Sequence, residues 1–348
     1  MKTYTIGFII ALLAAVCASQ TQKTHDFLKT YAGLAKIIIC LMFTFSIFSG
    51  CTSKHNLTIN EYAPGNDPVR FKTCTHIYFN NGQEIVTDLK NDRFVYRNSP
   101  AEPFTISPVE IKGAHSIIYN HFDGLYYACD TENNRIIAFA DLNSNVITAS
   151  TSQIDGIDLV RPHDIILDPD TGWLYTINPN SCVVFRFKSI GVSESSLSLS
   201  LGYSRALTLV NGKLYVIASS RGEIVEIEDF STAAYKKYTS FGHKRNSPAG
   251  SWDHTGLIIN DAEYYKGYWY ATSFFCKQYA KGYDTEVNKF IRFENWADFE
   301  SGNWEDLSEM LPASVVPYYL TVHDDALYLA VFNHENPGQN DKVYKISF

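Results

Sequence analysis

The sequence lacks the short motifs by which several common enzyme classes are recognised. It contains no Gly-x-Ser-x-Gly, no glycine-rich phosphate loop and no His-Glu-x-x-His, which are typical of serine hydrolases, nucleotide-binding proteins and zinc peptidases. Its seven cysteines include no Cys-x-x-Cys pair and no Cys/His metal spacing. The sequence therefore gives no indication of these enzyme classes.

Positive charge is also scarce. The chain has 29 Lys and Arg against 37 Asp and Glu, a formal net charge of −8. The first 50 residues hold four lysines and one aspartate, a charge of +3, so the remaining chain carries −11. An acidic domain without a basic stripe is not expected to bind nucleic acid, because phosphate contacts require Lys and Arg.

No apolar run reaches the ~20 residues that a membrane-spanning helix needs, but the N-terminus contains two shorter runs. Residues 5–18 follow Lys2 and end in Val16-Cys17-Ala18-Ser19, as a secretory signal does. Residues 37–50 end in Phe48-Ser49-Gly50 before Cys51, which resembles a bacterial lipoprotein signal. The alternative is one signal followed by a short membrane-associated segment.

This N-terminus predicts the domain organisation and the location of the protein. We expect residues 1–50 to be a signal or leader segment, 51–65 a linker and 66–348 the folded domain. The domain is expected to be extracytoplasmic, either secreted or anchored to a membrane only through its leader or a lipid on Cys51.

Cysteine usage leaves two possibilities open. Outside the two apolar runs lie five cysteines: Cys51, Cys74, Cys129, Cys182 and Cys276. If Cys51 carries a lipid, the other four allow three disulfide pairings. Free thiols buried in strands are the alternative.

The domain shows no helical periodicity beyond a short stretch at 296–310, and a three-strand block repeats instead. In the clearest copy, 161–187, turns at 168–172 and 178–180 separate three short strands rich in β-branched and aromatic residues. The repeats are marked by second-strand tyrosines at spacings of 48, 40, 55 and 58 residues: Tyr127, Tyr175, Tyr215, Tyr270 and Tyr328.

Units of ~40–50 residues with several strands each are typical of β-propellers. Five repeats are clear and one N-terminal unit is degenerate, so we predict an all-β, six-bladed β-propeller, with five blades as the alternative. The sequence ends just after a third strand, so an N-terminal strand is expected to close the last blade. Residues 64–98, which include Arg93-Phe94-Val95-Tyr96, are the expected donor of that strand.

One repeat resembles a known family. Residues 125–139 contain Asp130-Thr131-Glu132-Asn133-Asn134-Arg135-Ile136 between two apolar strands, and this is similar to the NHL repeat, whose hallmark is Asp-Thr-x-Asn-x-Arg-Ile. The resemblance covers about 110–348 and implies an NHL-like propeller. It does not imply one function, because propellers host many.

The first strand of each blade lines the channel of a propeller, so polar residues at its start should meet at one mouth. Counting back from the turns gives these equivalent positions: His115, His163, Arg205, Asn260 and Tyr319, with Asp164 and Asp261 following two of them. His115, His163 and Asn260 are candidate ligands of a divalent metal, zinc or calcium, and Arg205 is a candidate clamp for a carboxylate. The alternative is that these residues bond neighbouring blades or bridging water.

Two weaker family resemblances bear on these residues. Pro162-His163-Asp164 and Ala114-His115-Ser116 resemble strand starts of the propeller lyase that splits peptidyl-α-hydroxyglycine, which implies a zinc held by one His from each of three blades. Asn260 stands where a third His would be, and His254 is six residues earlier. Asn260-Asp261 also resembles the calcium site of gluconolactonase-type propellers, although no Glu stands at a clear first-strand position.

Two function classes follow. The first is a binding module, expected to be a monomer, that holds a small molecule, peptide, glycan or extracellular protein at its channel or loop face through Arg205, Tyr319, Asp164, Asp261 and His254. The second is a metal-dependent lyase or hydrolase at the channel mouth. Long segments at 241–256 and 274–289 are candidate binding loops.

Overall fold

Every blade of the structure is a four-stranded antiparallel sheet, and in all but the last the strands follow chain order. The structure is a computed structural model that describes residues 57–65, 67–242, 257–273, 288–313, 315–333 and 336–347. The six sheets form a six-bladed β-propeller, as predicted. The leader, Cys51, His254, most of the segment 241–256 and most of 274–289 lie outside the described residues.

The strands of the first three blades are short and follow one another through tight turns. Blade 1 comprises β2 (Cys74–Asn80), β3 (Gln83–Asp88), β4 (Arg93–Arg97) and β5 (Thr105–Ile106). Blade 2 comprises β6 (Ile117–Asn120), β7 (Leu125–Asp130), β8 (Arg135–Phe139) and β9 (Ala149–Thr151). A small hairpin, β10 (Gln153–Ile154) with β11 (Ile157–Asp158), precedes blade 3, which comprises β12 (Ile165–Leu167), β13 (Leu174–Asn178), β14 (Val183–Phe187) and β15 (Ser195–Ser198).

The remaining three blades have the same four-stranded plan, with a helix added in blade 5 and an N-terminal strand in blade 6. Blade 4 comprises β16 (Ala206–Val210), β17 (Lys213–Ala218), β18 (Glu223–Asp229) and β19 (Ala234–Thr239). Blade 5 comprises β20 (Ile259–Tyr265), β21 (Tyr268–Ser273), β22 (Lys289–Phe293) and β23 (Glu305–Asp306), with helix α1 (Trp296–Ser301) between the last two. Blade 6 comprises β24 (Val316–His323), β25 (Ala326–Phe332), β26 (Lys342–Ser347) and the N-terminal strand β1 (Thr58–Ala63).

Helical structure is minor in the described part of the chain. Beside α1, which Asn295 caps by accepting the N–H of Asp298, there are four 3₁₀ turns: Leu89–Asn91, Thr131–Asn133, Ser219–Arg221 and Ser308–Met310. Among the described residues, no helix combines the length and the apolar character that crossing a bilayer would demand.

The N-terminal strand closes the ring, as predicted, but its source differs from the prediction. β1 pairs antiparallel with β26, with Thr58 opposite Ser347 and Ala63 opposite Val343. The prediction that residues 64–98 donate this strand is wrong, because that segment contains three strands of blade 1. The segment 51–65, expected to be a linker, therefore contains a strand of the propeller.

Blade 1 carries the same motif as the NHL-like blade. In blade 2, the buried Asp130 accepts Arg135 Nε at 2.6 Å and the N–H of Lys112 at 2.8 Å. In blade 1, Asp88 likewise accepts Arg93 Nε at 2.8 Å and the N–H of Lys72 at 2.5 Å. Each aspartate thus ties the third strand of its blade to the segment that leads into that blade. The N-terminal unit, which the sequence pattern indicated to be degenerate, is therefore a regular blade.

The core lies between adjacent blades, where aromatic rings from neighbouring sheets meet. Tyr127 of blade 2 contacts Phe187 of blade 3, with ring centroids 6.2 Å apart, and Tyr215 of blade 4 contacts Trp269 of blade 5 at 4.9 Å. These repeat-marking tyrosines therefore serve inter-blade packing.

The described cysteines are not paired. Cys74, Cys129 and Cys182 are free and buried, so the free-thiol alternative holds for these three. Cys276 lies outside the described residues.

Candidate functional site

The register of the first strands assigns equivalent positions in all six blades. An apolar residue near the start of each first strand faces the second strand at the same level, with pairs such as Ile77 with Val86 and Leu320 with Leu329. We call this set the apolar ring: Ile77, Ile117, Ile165, Leu207, Ala262 and Leu320. All six are at most 1% exposed, so this level belongs to the core.

The residues just before the apolar ring form two further levels. We call the residues one position earlier the inner ring: His76, Ser116, Asp164, Ala206, Asp261 and Tyr319. We call those two positions earlier the mouth ring: Thr75, His115, His163, Arg205, Asn260 and Tyr318. Every member of the mouth ring is polar, although the six come from segments spread over more than 240 residues of the sequence.

Side-chain contacts show that the mouth ring converges. The imidazoles of His115 and His163 stack with centroids 3.8 Å apart and planes 23° apart. The hydroxyl of Tyr318, from blade 6, lies 3.3 Å from His115 Nδ1 and 3.5 Å from His163 Nε2. Arg205 Nη1 donates to Asn260 Oδ1. The site therefore assembles side chains of five blades across the channel. The hydroxyl of Thr75 in blade 1 instead bonds Thr87 Oγ1 and the carbonyl oxygens of Ala114 and His115.

The mouth ring has a buried floor and a more open rim. His163, Asn260 and Tyr318 are 5%, 1% and 5% exposed, whereas His115 and Arg205 are only partly buried. Tyr203 adds an aromatic wall, since its ring centroid lies 6.5 Å from that of His163 and 5.2 Å from the Arg205 guanidinium carbon.

Both histidines are held in the neutral state. Burial, and after it the positive charges of Arg205, Arg161 and Lys90, lowers the pKa of His115 to about 3. Burial also lowers the pKa of His163 well below its ordinary value, with His115 and Arg205 acting in the same direction. The Nδ1 atom of His163 is buried without a hydrogen-bond partner of normal geometry among the described residues.

Four of the six inner-ring side chains fasten their blade to the next one. Each accepts the N–H of the apolar-ring residue in the following blade: Ile117 to His76 Nδ1 at 3.5 Å, Ile165 to Ser116 Oγ at 2.8 Å, Leu207 to Asp164 Oδ2 at 2.8 Å, and Leu320 to Asp261 Oδ2 at 2.7 Å. Buried carboxylates that accept N–H groups in this way stabilise the ring directly.

A buried acidic cluster lies at and below this level. Burial raises the pKa of Asp164 to about 6, against the hydrogen bonds from Leu207, Tyr319 and Ile165. Burial and the charge of Glu263 raise the pKa of Asp261, and burial followed by the charge of Asp164 raises the pKa of Glu263 to about 8. Three carboxyl groups therefore share the channel interior beneath the mouth ring.

Most predicted site residues lie where the sequence placed them. His115, His163, Arg205 and Asn260 share the mouth ring. Tyr319 does not, because it lies one step deeper in the inner ring, and Tyr318 takes the predicted position.

Asp164 and Asp261 belong to the inner ring, where both carboxylates already accept backbone N–H groups. Contact of either aspartate with a ligand stays a prediction. His254 lies outside the described residues.

Sequence reasoning missed Thr75, His76 and Tyr318. The segment Cys74-Thr75-His76-Ile77 has the same order of small, polar, polar and apolar residues as Ala114-His115-Ser116-Ile117. This shared order could have identified the start of the first strand of blade 1.

The mouth ring fits a divalent metal poorly. Stacked imidazoles direct their in-plane nitrogens side by side rather than toward one point, and the oxygen of Asn260 is engaged by the cationic Arg205. No third His stands in the ring, since His76 lies in the inner ring and accepts a backbone N–H. Within the described ranges, no group of three His, Cys, Asp or Glu side chains is arranged to hold a metal ion.

Three solved structures share this architecture. A streptogramin B lyase is 12% identical and superposes over 84% of this chain and 97% of its own with a TM-score of 0.54. A luciferin-regenerating enzyme is 12% identical over 84% and 95%, with a TM-score of 0.57. A gluconolactonase-like protein is 13% identical over 84% and 92%, with a TM-score of 0.56.

At these identities the similarity shows the fold alone. No protein-family model matches the sequence, and no curated protein is similar to it. The chain is a six-bladed β-propeller with the fold of these enzymes, as the NHL resemblance implied.

Proposed function

We propose that this protein is an exported β-propeller that binds a small organic ligand at the mouth ring. The observation that carries the proposal is that all six blades place a polar side chain at this one level. Partly exposed His115 and Arg205 there stand above a buried floor of His163, Asn260 and Tyr318. Ligand sites of this kind combine an apolar or aromatic wall with a few convergent polar groups.

Hydrogen bonds between blades account for part of this ring. In the mouth ring Thr75 donates to the carbonyl oxygens of Ala114 and His115, and Asn260 Nδ2 donates to that of Pro317. His115, His163 and Tyr318 instead contact one another across the channel. Nδ1 of His163 is buried and makes no hydrogen bond of normal geometry among the described residues, although the backbone of Arg205 interacts with this imidazole.

The metal-dependent lyase or hydrolase is the second candidate. The neutral imidazoles beside Tyr318 and the lyase among the proteins that share the fold support it. The stacking of the two imidazoles and the bond from Arg205 to Asn260 count against a metal at the mouth ring. Elemental analysis of the purified protein separates the two candidates. A divalent ion at one equivalent per chain that disappears in His163→Ala supports the enzyme, whereas less than a tenth of an equivalent in both supports the binding module.

Ligand binding is tested by saturation-transfer NMR with a library of small organic acids, amides and amines. We expect hits with the wild-type protein that are lost in His163→Ala and retained in Tyr268→Phe, a substitution beside the turn between β20 and β21 of blade 5. A library without hits, or hits that His163→Ala leaves unchanged, contradicts the proposal. Thermal denaturation of each variant confirms that it is folded.

Export rests on the two N-terminal apolar runs and on Cys51. The test is the intact mass of the mature protein from membranes of an expressing bacterium. A chain that begins at Cys51 with a diacylglyceryl adduct, absent in Cys51→Ser, supports the anchor. A full-length chain from Met1 contradicts export.

A further inference from the structure

We infer that the opposite end of the channel holds a second ligand site, which binds a small substituted organic ammonium ion beside Glu263. This site lies beyond the apolar ring, on the side away from the mouth ring. It shares no side chain with the proposed ligand site, so the two sites can be tested separately.

The six first strands form a closed ring around the channel. Each contacts the first strands of the blades before and after it, and β24 of blade 6 contacts β2 of blade 1. Each first strand also pairs with the second strand of its own blade. Solvent that reaches side chains in the middle of a first strand therefore comes along the channel.

The channel is open below the apolar ring. The residues one position after the apolar ring lie opposite Ile85 and the repeat-marking tyrosines, and we call them the lower ring: Tyr78, Ile118, Ile166, Thr208, Glu263 and Thr321. Five of these six residues are half-buried and Thr208 is buried, whereas every member of the inner ring and the apolar ring is buried. Solvent therefore enters the lower ring from the face opposite the mouth.

Glu263 is the one acidic or basic residue of the lower ring. Thr208 Oγ1 donates to its Oε1 at 2.6 Å, and the hydroxyl of Thr321 donates to the carbonyl oxygen of Ile77 at 2.8 Å. Both threonine hydroxyls are thus engaged, and the remaining members of the ring present aromatic and aliphatic surface. The lower ring therefore offers one negative centre between largely apolar walls.

The turns at this end of the channel carry negative charge. The six turns between first and second strands contain five aspartates and one lysine: Asp123, Asp168, Asp170, Asp324, Asp325 and Lys266. Lys266 pairs with Asp325 at 2.8 Å, and Asp324 is 85% exposed. A negative rim attracts cations to the opening and repels anions.

The lining distinguishes an organic cation from a metal ion. Calcium and magnesium require about six or more oxygen ligands, and the lower ring offers one carboxyl group that already accepts a hydrogen bond. A substituted ammonium ion needs one counter-charge and packs its carbon substituents on aromatic and aliphatic side chains. Half-buried Tyr78 and Tyr119 supply aromatic surface at and next to the lower ring, so the site matches an organic cation.

The test compares choline with 3,3-dimethylbutan-1-ol, which has the same shape without the charge. Affinities are measured by ligand-observed NMR at pH 9, above the pKa of about 8 to which desolvation raises the Glu263 carboxyl. We expect choline to bind the wild type at least about 10-fold more tightly than the alcohol, and this preference to vanish in Glu263→Gln. Glu132→Gln, which removes a carboxylate from an exposed ion pair, is the matched control and should keep the preference.

Two results would overturn this assignment. Equal affinities of choline and the alcohol for the wild type, or no binding of either, contradict a cation site. A preference for choline that survives in Glu263→Gln contradicts the lower ring as its location.

His163→Ala separates this site from the mouth ring. Choline should bind this variant as tightly as the wild type, and loss of choline binding in a folded His163→Ala protein contradicts a site at the lower ring. Ligands whose binding is lost in Glu263→Gln alone belong to the lower ring and are set aside when the mouth ring is tested.

Asp324→Asn tests the negative rim at an exposed position. Asn tolerates the left-handed backbone that Asp324 adopts, with φ 50°, so folding is not at risk. The variant should weaken choline binding about 2- to 5-fold at low salt and have no effect at 0.5 M salt. An unchanged affinity at low salt contradicts the role of the rim.

Discussion

The hydroxyl of Tyr319 in blade 6 donates to both carboxylate oxygens of Asp164 in blade 3, at 2.7 and 2.8 Å. The two residues come from opposite sides of the ring and are 155 positions apart in sequence. Asp164 also accepts the N–H of Leu207 in blade 4. This bond therefore spans the channel beneath the mouth ring and joins three blades through one buried carboxylate.

The aspartate of the NHL-like motif should be a major determinant of stability. Asp130→Ala removes the acceptor for Arg135, Asn133 and the N–H of Lys112, and we expect a loss of about 2–4 kcal/mol in the free energy of unfolding. Asp88→Ala in blade 1 should have a similar effect. Urea denaturation measures both.

The neighbouring Glu132 provides the control for this experiment. It forms an ion pair with Arg161 in which both side chains are more than 40% exposed, and Glu132→Ala should cost less than about 1 kcal/mol. Equal losses for Asp130→Ala and Glu132→Ala would contradict the structural role of the motif.

Glu263→Gln should make the protein more stable, increasingly so as the pH rises. The half-buried Glu263 accepts Thr208 Oγ1 at 2.6 Å, and desolvation raises its pKa to about 8. Because the folded state holds the proton more tightly than the unfolded state, whose pKa is about 4.3, wild-type stability falls between about pH 4 and pH 8. Glutamine removes this loss. The free energy of unfolding of Glu263→Gln should therefore exceed that of the wild type by at least about 1.4 kcal/mol at pH 8 and by little at pH 4.

Glu226 offers a control with the opposite sign. Burial alone would raise its pKa, but the bonds from Lys213 and Tyr238 outweigh burial and lower it. Glu226→Gln should therefore destabilise the protein near pH 7, and the difference should shrink as the pH falls below 4. Thermal denaturation between pH 2.5 and pH 9 measures both series, and a pH-independent effect of Glu263→Gln would contradict the acidic cluster.

Removal of β1 should destabilise the propeller by more than about 2 kcal/mol. The strand pairs with β26, and Tyr62 donates to Glu84 of blade 1 while Arg97 lies 5.4 Å over its ring. A chain that begins at Gly65 lacks these contacts and exposes the edge of β26, whereas one that begins at Leu57 retains them. If both chains melt at the same temperature, β1 does not close the ring.

Regular repeats could be read from the sequence because their pattern is local. The second-strand tyrosines mark positions that pack between blades, so their spacing follows the blades and predicted the fold. The first blade was harder to recognise because Asp88-Leu89-Lys90-Asn91-Asp92-Arg93 keeps the Asp, Asn and Arg of the motif but not its Thr. Its strands were therefore mistaken for the donor of the closing strand.

Predicting the candidate site required the register of the first strand in each blade. For blade 6 the predicted register was wrong by one residue. The turn of blade 6 has no glycine, and Asp324 takes the left-handed conformation with φ 50°, so the position counted from that turn was one residue late. Tyr318 is also the extra residue where the pairing of β24 shifts between Pro317 and Tyr319. The roles of Asp164 and Asp261 as inter-blade fasteners depend on contacts across the ring, which no local pattern encodes.

A double-mutant cycle between Asp164 and Tyr319 tests most directly whether opposite blades meet in one channel. The free energy of unfolding is measured for the wild type, Asp164→Asn, Tyr319→Phe and the double variant. The account predicts a coupling energy of about 1–3 kcal/mol between the two substitutions. A coupling energy of zero within error would contradict the convergence of the six first strands on which the candidate site depends.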